Sequence, residues 1–204
     1  MMLRRLFLIL ALAAAPLTVP AAASAQASGG LPAVSATDRV MGRANAPVTV
    51  IEYASFVCSH CADWHTTVLP SFKTQFIDTG QVRLVFRNLP TAPAEVAMTA
   101  AGIAKCAPAD RYLAVAGSFY RGQAAMLAGG TTWFPDALAA GGLTSSQIQT
   151  CFADPATNAG LQAEIRAASA AGVQGTPTFF VNGKIERDGS IEALTAAIAE
   201  AEAP

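Results

Sequence analysis

The alternation of apolar and polar residues predicts two strands in the first half of the chain. In Val48–Ala54, the even positions, which include Glu52, share one face and the odd positions share the other, because successive strand residues point to opposite sides. Both faces are largely apolar, so we expect this strand to be covered on both sides. Residues 82–89 predict a second strand, parallel to the first because a helical crossover separates them.

Helical patterns fill most of the remaining chain. Residues 58–79 predict a helix that Pro70 should kink, because proline removes an amide donor and crowds the preceding turn. Residues 92–171 are helical almost throughout and predict four or five helices, with Thr144 and Gln147 resembling a capping box. The expected breaks within this block lie at residues 107–108, 129–130, 141–142 and 154–155.

The last stretch of the chain returns to a strand pattern. Residues 178–182 predict a strand, Asn182 and Gly183 form a hairpin turn signal, and residues 184–187 predict its partner strand. Ser190 is placed to cap a final amphipathic helix. The order strand, helix, strand, helical block, hairpin and helix indicates an α/β protein.

The N-terminal residues have the features of a secretory signal peptide, which we place at residues 1–25. Arg4 and Arg5 precede a short apolar stretch at 6–15, and small residues at 23–25 suit cleavage near Ala25. An uncleaved membrane anchor is the alternative. The expected location is therefore periplasmic or otherwise exported. Residues 26–45 are rich in Ser, Gly, Ala and Pro and predict a flexible arm.

Composition narrows the possible partners. The 204 residues carry a formal net charge of −1, and loss of Arg4 and Arg5 with the signal peptide moves it to about −3. There is no Lys/Arg-rich run, so we expect no nucleic acid partner. No later stretch is long and apolar enough to predict a transmembrane helix.

Four cysteines remain after cleavage, and they could pair in three ways. An oxidising compartment permits disulfides, and the spacing suggests one close pair, Cys58 with Cys61, and one distant pair, Cys106 with Cys151. A C-x-x-C pair also serves haem attachment and metal sites. Haem attachment needs a histidine where this chain has Ala62, and a four-cysteine zinc site usually has two close pairs. We therefore favour redox chemistry over a metal, and expect neither a metal nor a cofactor.

The position of Cys58 at a helix N-terminus favours its thiolate. The unsatisfied amides and the helix dipole lower a thiol pKa there, and His60 could add positive charge or a hydrogen bond. A stabilised thiolate stabilises the reduced form, which makes the disulfide more oxidising. The alternative for His60 is an ordinary surface histidine. We interpret His65 as a surface or packing residue without a role.

Glu52 is the candidate proton acceptor. Its position on an apolar strand face, six residues before Cys58, favours a buried carboxylate over the alternative of a surface carboxylate on an edge strand.

Together these features resemble the thioredoxin superfamily. A strand with an acid, a C-x-x-C helix, a helical block and then Gly-Thr-Pro-Thr-Phe-Phe at 175–180 is most similar to the DsbA-like thiol:disulfide oxidoreductases of bacterial envelopes. The resemblance implies a thioredoxin fold with an inserted all-helical domain. The thioredoxin-like part would comprise residues 46–91 and 172–204, and the insertion residues 92–171.

The resemblance also implies a role for each site residue. Cys58 would form the mixed disulfide with a substrate, Cys61 would resolve it, and Glu52 would assist proton transfer at Cys61. Pro177 would be a cis proline packed against the disulfide, an uncommon arrangement. It would leave the Thr176 backbone free to pair with an extended substrate.

Two departures from the family pattern leave the direction of the reaction open. The dipeptide inside the motif is Ser-His where the best-known oxidase has Pro-His, and the residue before Pro177 is threonine, which occurs in isomerases and in some oxidases. We favour a dithiol oxidase and a monomer, because isomerases of this superfamily commonly oligomerise through an N-terminal extension. An isomerase or reductase, a peptide-binding chaperone and a metal-handling envelope protein remain alternatives.

The expected partners follow from this function. They are reduced or misoxidised exported proteins and a membrane redox partner that resets Cys58 and Cys61. For Cys106 and Cys151 we expect a structural disulfide across a loop of about 45 residues, contributing a few kcal/mol. A second redox-active pair is the alternative.

Overall fold

The structure, a computed structural model, describes residues 33–203. The predicted signal peptide lies outside the described residues. The strands are β1 (Arg39–Met41), β2 (Val48–Ala54), β3 (Val82–Asn88), β4 (Thr178–Val181) and β5 (Lys184–Glu186). The helices are α1 (Ser59–Asp63), α2 (Leu69–Phe72), α3 (Ala94–Cys106), α4 (Tyr112–Leu127), α5 (Trp133–Gly141), α6 (Ser145–Ala153), α7 (Pro155–Ala170) and α8 (Ile191–Glu202).

The strands form one mixed sheet in the order β1-β3-β2-β4-β5. Strands β2 and β3 are parallel, as predicted, and the other neighbours are antiparallel. Strand β2 has the bounds expected from its alternation, and β4 and β5 form the predicted hairpin around Asn182 and Gly183. Glu52 lies in the middle of the sheet, opposite Phe86 on one side and Phe179 on the other.

Both faces of the sheet are covered, as the apolar pattern of β2 predicted. The apolar even positions of β2 belong to the larger core, which also contains Trp64, Phe72 and residues of α3, α4 and α8. On the opposite face, Ile51 and Tyr53 form a second cluster with Val85, Phe180 and Ala168 of α7. The face that carries Glu52 is therefore the one on which the C-x-x-C helix lies.

That helix is continuous over residues 59–77 but not uniformly α-helical. Wide π turns at Trp64–Val68 and Lys73–Ile77 alternate with α1 and α2. The first π turn directly precedes the segment containing Pro70, so the disruption expected at the proline takes the form of a widened turn. Single π turns inside α-helices are frequent at functional sites, and this one carries His65.

Five helices, α3 to α7, occupy the stretch predicted to be helical, and the breaks between them lie at the predicted positions. The capping box of Thr144 and Gln147 is present at the start of α6. Helix α4 packs on α1 and on the π turn that follows it. A disulfide joins Cys106 to Cys151, with their Cα atoms 5.9 Å apart, so the distant pair suggested by the spacing is bonded.

The prediction of a flexible arm over residues 26–45 was wrong for its described part. Strand β1 pairs antiparallel with β3. Before it, Asp38 forms a buried ion pair with Arg87 of β3, with 2.9 Å between Arg87 Nη2 and Asp38 Oδ2. A three-residue edge strand is too short to produce a recognisable alternation, and the ion pair depends on the position of β3. Among the described residues, no helix is long and apolar enough to cross a membrane.

Candidate active site

The end of β2 delivers the C-x-x-C pair to the surface of the molecule. After Ala54 the chain turns, and the amide of Cys58 donates to the carbonyl of Ser55 over 3.1 Å. Cys58 is the N-cap of α1, with extended backbone angles. Its side chain is half-buried, whereas Cys61, one turn further, is fully buried. The two thiols are free in this structure.

Two backbone groups contact Cys58 Sγ, one from the same helical turn and one from a distant part of the chain. The amide of Cys61 donates to it over 3.4 Å, as expected for an N-cap. On the other side, the carbonyl oxygen of Thr176 lies 3.2 Å away, where the thiol can donate to it. The Thr176–Pro177 peptide bond is cis, the isomer implied by the resemblance, and the segment lies directly against the reactive sulfur.

The surroundings move the pKa values of the two thiols in opposite directions. A hydrogen bond from the Cys61 side chain, helped by the backbone amides of Cys61 and His60, lowers the pKa of Cys58 to about 5. A hydrogen bond with Thr176 lowers this pKa as well, whereas burial acts in the opposite sense and is outweighed. Burial, the hydrogen bond to Cys58 and the negative charge of Glu52 all raise the pKa of Cys61. One sulfur is therefore a thiolate near neutral pH while the other keeps its proton.

Glu52 is fully buried, and it has a partner that the sequence interpretation missed. Nε2 of His65 lies 3.0 Å from both carboxylate oxygens, and the His65 side chain is only 6% exposed. The assignment of His65 to a surface or packing position without a role was therefore incomplete. The spacing held the signal, because His65 follows Cys61 by four residues and so lies on the same inward face of the helix.

The structure places the His60 side chain differently from the expectation. It is exposed and lines a groove of about 420 Å³ together with Trp64, Thr176, Pro177 and Arg187. The group of His60 that acts on Cys58 is its backbone amide. The Trp64 side chain forms one wall of the groove, and its indole nitrogen donates to the carbonyl of Gly189 over 2.8 Å, which fixes the position of the ring.

Gln123 of α4 is a second residue that the sequence interpretation missed. Its side-chain amide donates to the carbonyls of Phe56 and Cys58 over 2.7 and 3.0 Å, and the residue is buried. The helical block thereby reaches into the active-site loop. The apolar stripe of α4 contained the signal, because Gln123 continues the spacing of Val115, Phe119 and Tyr120 on the buried face.

Within residues 33–203 there is no cluster of three or more His, Cys, Asp or Glu side chains that could hold a metal ion. The groups that meet at Cys58 and Cys61 are instead suited to exchanging a disulfide and a proton.

Comparison with known proteins shows the family of the chain. A family model described as thioredoxin matches residues 34–200. A relative from Rickettsia bellii, named "Putative protein-disulfide oxidoreductase", is 28% identical over 178 residues, which are 82% of this chain and 66% of that protein. The chain thus spans just under two thirds of this curated relative, and it spans 61% of a similarly named protein of Rickettsia conorii.

Solved structures share the fold. Alpha-DsbA1 of Wolbachia pipientis matches with a TM-score of 0.71 and 23% identity, covering 83% of this chain and 92% of that one. BdbD of Bacillus subtilis in its oxidised form matches with a TM-score of 0.69 and 18% identity, covering 84% and 96%. The predicted α/β class, a thioredoxin fold with additional helices, is confirmed.

Proposed function

The chain belongs to the thioredoxin family, and we propose that it is a protein thiol:disulfide oxidoreductase of the DsbA-like form that acts as a dithiol oxidase. The observation that carries this proposal is the placement of the two thiols: Cys58 is the N-cap of a helix and its Sγ accepts from the Cys61 amide, whereas Cys61 is fully buried. The opposite shift of their pKa values follows from this placement. A thiolate that is stable at Cys58 makes it a good leaving group and stabilises the reduced protein. Both effects favour giving the disulfide away.

The reaction proceeds by two exchanges. A substrate thiolate attacks Cys58 Sγ of the Cys58–Cys61 disulfide, and Cys61 leaves with the bonding electron pair and takes a proton. A second substrate thiolate then attacks the substrate sulfur of the mixed disulfide, and Cys58 leaves as a thiolate. The substrate is oxidised and the protein is reduced by two electrons. Protonated Glu52 supplies the proton in the first exchange and is left as the carboxylate whose negative charge raises the pKa of Cys61.

The groove beside Pro177 suits an extended peptide. Its walls are Trp64 and the segment around Arg187, and the Thr176 backbone borders it next to the reactive sulfur. Reduced or misoxidised exported proteins are the substrates we propose. A membrane redox partner would return Cys58 and Cys61 to the disulfide. An exported or periplasmic location follows from the signal-peptide pattern of residues 1–25, and we propose that the protein acts there as a monomer.

The reduction potential of the Cys58–Cys61 pair tests the proposal. The purified protein is equilibrated with glutathione buffers, and the redox state of the pair is read by trapping free thiols, with Cys106–Cys151 as the internal reference. We expect a potential well above the roughly −270 mV of thioredoxin, in the range of about −180 to −120 mV that oxidising members of the superfamily occupy. Oxidation of a reduced model peptide should accompany it.

Each other outcome points to a different protein. A potential near or below that of thioredoxin would indicate a reductase. Efficient rearrangement of a mispaired substrate without net oxidation would indicate an isomerase. Thiols that react only after a chelator is added would indicate metal handling, and peptide binding without any thiol reactivity would indicate a chaperone.

A further inference from the structure

The carboxylate of Glu52 lies far from water for a group that has to exchange protons. It is 0% exposed, at the centre of the sheet. Each turnover of the proposed reaction moves a proton to or from Cys61, which is also 0% exposed. A proton taken up or given away by Glu52 must therefore reach solvent through a neighbouring group.

His65 is that neighbour. Its Nε2 is 3.0 Å from each oxygen of Glu52. A carboxylate and an unprotonated imidazole nitrogen are both acceptors, so this contact requires a proton on one of the two groups. The pair holds a proton in a position from which either group can release it.

The His65 ring also borders the molecular surface. It lines a surface cavity of about 180 Å³ together with Leu69, Leu113 and Arg121, and the latter two are exposed. On its flat side the ring stacks on Tyr120, with 4.0 Å between ring centroids and 22° between planes. The stack holds the imidazole between the buried carboxylate and the cavity.

We propose that His65 connects Glu52 to solvent as a positioning residue that acts through Glu52. The inference rests on the proposed function. When Cys61 leaves Cys58 it takes the proton of Glu52, Nε2 of His65 gives a proton to Glu52, and His65 takes one from water in the cavity. When Cys61 later attacks the mixed disulfide, the same proton travels outward and the departing thiolate is protonated by solvent.

Few other groups around the pair change charge between pH 5 and 9. Strands β1 and β3 present Met41 and Phe86, which do not titrate. Burial raises the pKa of Tyr120 and of Tyr112, so both stay neutral, and arginine stays charged. The titratable or charged groups that face the pair are Cys61 from α1 and Tyr112, Tyr120 and Arg121 from α4.

The test isolates the step in which Cys61 closes the disulfide. Reduced protein is mixed with oxidised glutathione, samples are quenched in acid, and the glutathione adduct of Cys58 and the closed disulfide are counted by mass. In His65→Gln, which keeps an amide near Glu52 but cannot carry the proton, we expect closing to slow at least about 10-fold. Adduct formation should stay within about two-fold of the wild type.

Four further measurements separate proton transfer from packing. The pH dependence of closing should flatten in His65→Gln. Adding His65→Gln to Glu52→Gln should slow closing no further, because the histidine acts through the carboxylate. Free imidazole should partly restore closing in His65→Ala, and Tyr120→Phe, which keeps the stack, should close within about two-fold of the wild type.

Several results would overturn the inference. The first is disulfide closing in His65→Gln at the wild-type rate at every pH. The second is slower closing that is equal at all pH values and adds to the effect of Glu52→Gln. The third is closing in Tyr120→Phe that is slowed as much as in His65→Gln. If the variants fail to fold by circular dichroism, the solvent isotope effect on closing in the wild type decides, and a value near one contradicts the inference. A wild type that does not react with glutathione would instead contradict the proposed function.

Discussion

The two cysteine pairs of this protein show how surroundings decide what a sulfur atom does. Cys58 and Cys61 lie where β2 meets a helix, next to a buried carboxylate and the carbonyl of Thr176. Cys106 and Cys151 join α3 to α6 in the helical block. The first pair has opposite pKa shifts, whereas the second is a closed cross-link. We propose that the first pair is reactive and the second structural.

The largest expected effect comes from removing each pair in turn. Cys58→Ser should lower the rate of disulfide exchange with a reduced peptide by at least about 10³-fold, because a serine hydroxyl does not ionise near neutral pH and cannot form the disulfide. The Cys106→Ala, Cys151→Ala double variant should keep the rate within about two-fold. Lost exchange in the double variant with unchanged stability would make the distant pair a second redox centre.

The free energy of unfolding should depend on the distant pair, Cys106 and Cys151, more than the exchange rate does. The Cys106–Cys151 bond closes a loop with a sequence separation of 45, and the chain-entropy account gives such a loop up to about 4 kcal/mol. We expect the double variant to lose about 2–4 kcal/mol in urea unfolding at pH 7, with the Cys58–Cys61 pair oxidised in both proteins. Cys58→Ser, compared with reduced wild type at pH 5, where most of the thiolate contribution is lost, is the matched control for a reactive cysteine. A double variant as stable as the wild type would contradict a structural role.

The reduced reactive pair should itself stabilise the fold, and the effect should depend on pH. The pKa of Cys58 is lowered to about 5 in the folded protein, against about 8.5 in an unfolded chain. The thiolate contribution is complete above the unfolded value and is lost as pH falls towards 5. Relative to the oxidised form, the reduced form should gain up to about 1.4 kcal/mol of unfolding free energy per pH unit between those values.

Urea unfolding of both forms at several pH values, with Cys106–Cys151 intact, measures this difference. The reduced form should be the more stable at pH 7 by about 2 kcal/mol, allowing for the partial exposure of Cys58. A more stable oxidised form would make the pair a structural bridge or a reductant. The pH midpoint of thiolate absorbance should agree with the lowered pKa, and a midpoint near or above 8 would contradict it.

The smallest expected effect comes from Gln123, which connects the helical block with the Cys58–Cys61 site. Gln123 belongs to the helical block, yet it donates to two carbonyls of the active-site loop. Gln123→Leu should cost about 1–2 kcal/mol, because it leaves the buried carbonyl of Phe56 without this donor. It should also change the exchange rate a few-fold. Gln149→Ala, at an exposed glutamine of the same block, is the matched control and should leave exchange unchanged. Identical kinetics in both variants would mean that the block does not tune the site.

The sequence predicted those parts of the fold that depend on local signals. Alternation in Val48–Ala54, turn residues at Asn182 and Gly183, and the capping box at Thr144 act within a few residues, and each is present in the structure. The helix-start position of Cys58 and the burial of Glu52 were predicted from such local signals as well. The hydrogen bond that Cys58 Sγ accepts from the Cys61 amide also follows from the position of Cys58 at the start of a helix.

What the sequence did not predict depends on neighbours that are distant along the chain. The contact of His65 with Glu52 arises from the way a π turn rests on β2. Strand β1 forms by pairing with the edge of β3. Gln123 contacts the active-site loop because α4 packs next to that loop. The sequence indicates such a distant contact only where a polar residue interrupts an apolar face of a helix, as Gln123 and His65 do.

The contact between Cys58 and Thr176 has a consequence for the order in which the protein matures. It joins residues 118 positions apart, and β2 receives its second neighbour, β4, from the same late part of the chain. Contacts so distant in sequence form late in folding, after local helices. A chain emerging N-terminus first therefore presents its C-x-x-C pair long before the groove beside Pro177 exists. The geometry that recognises substrates is the last part of the active site to be assembled.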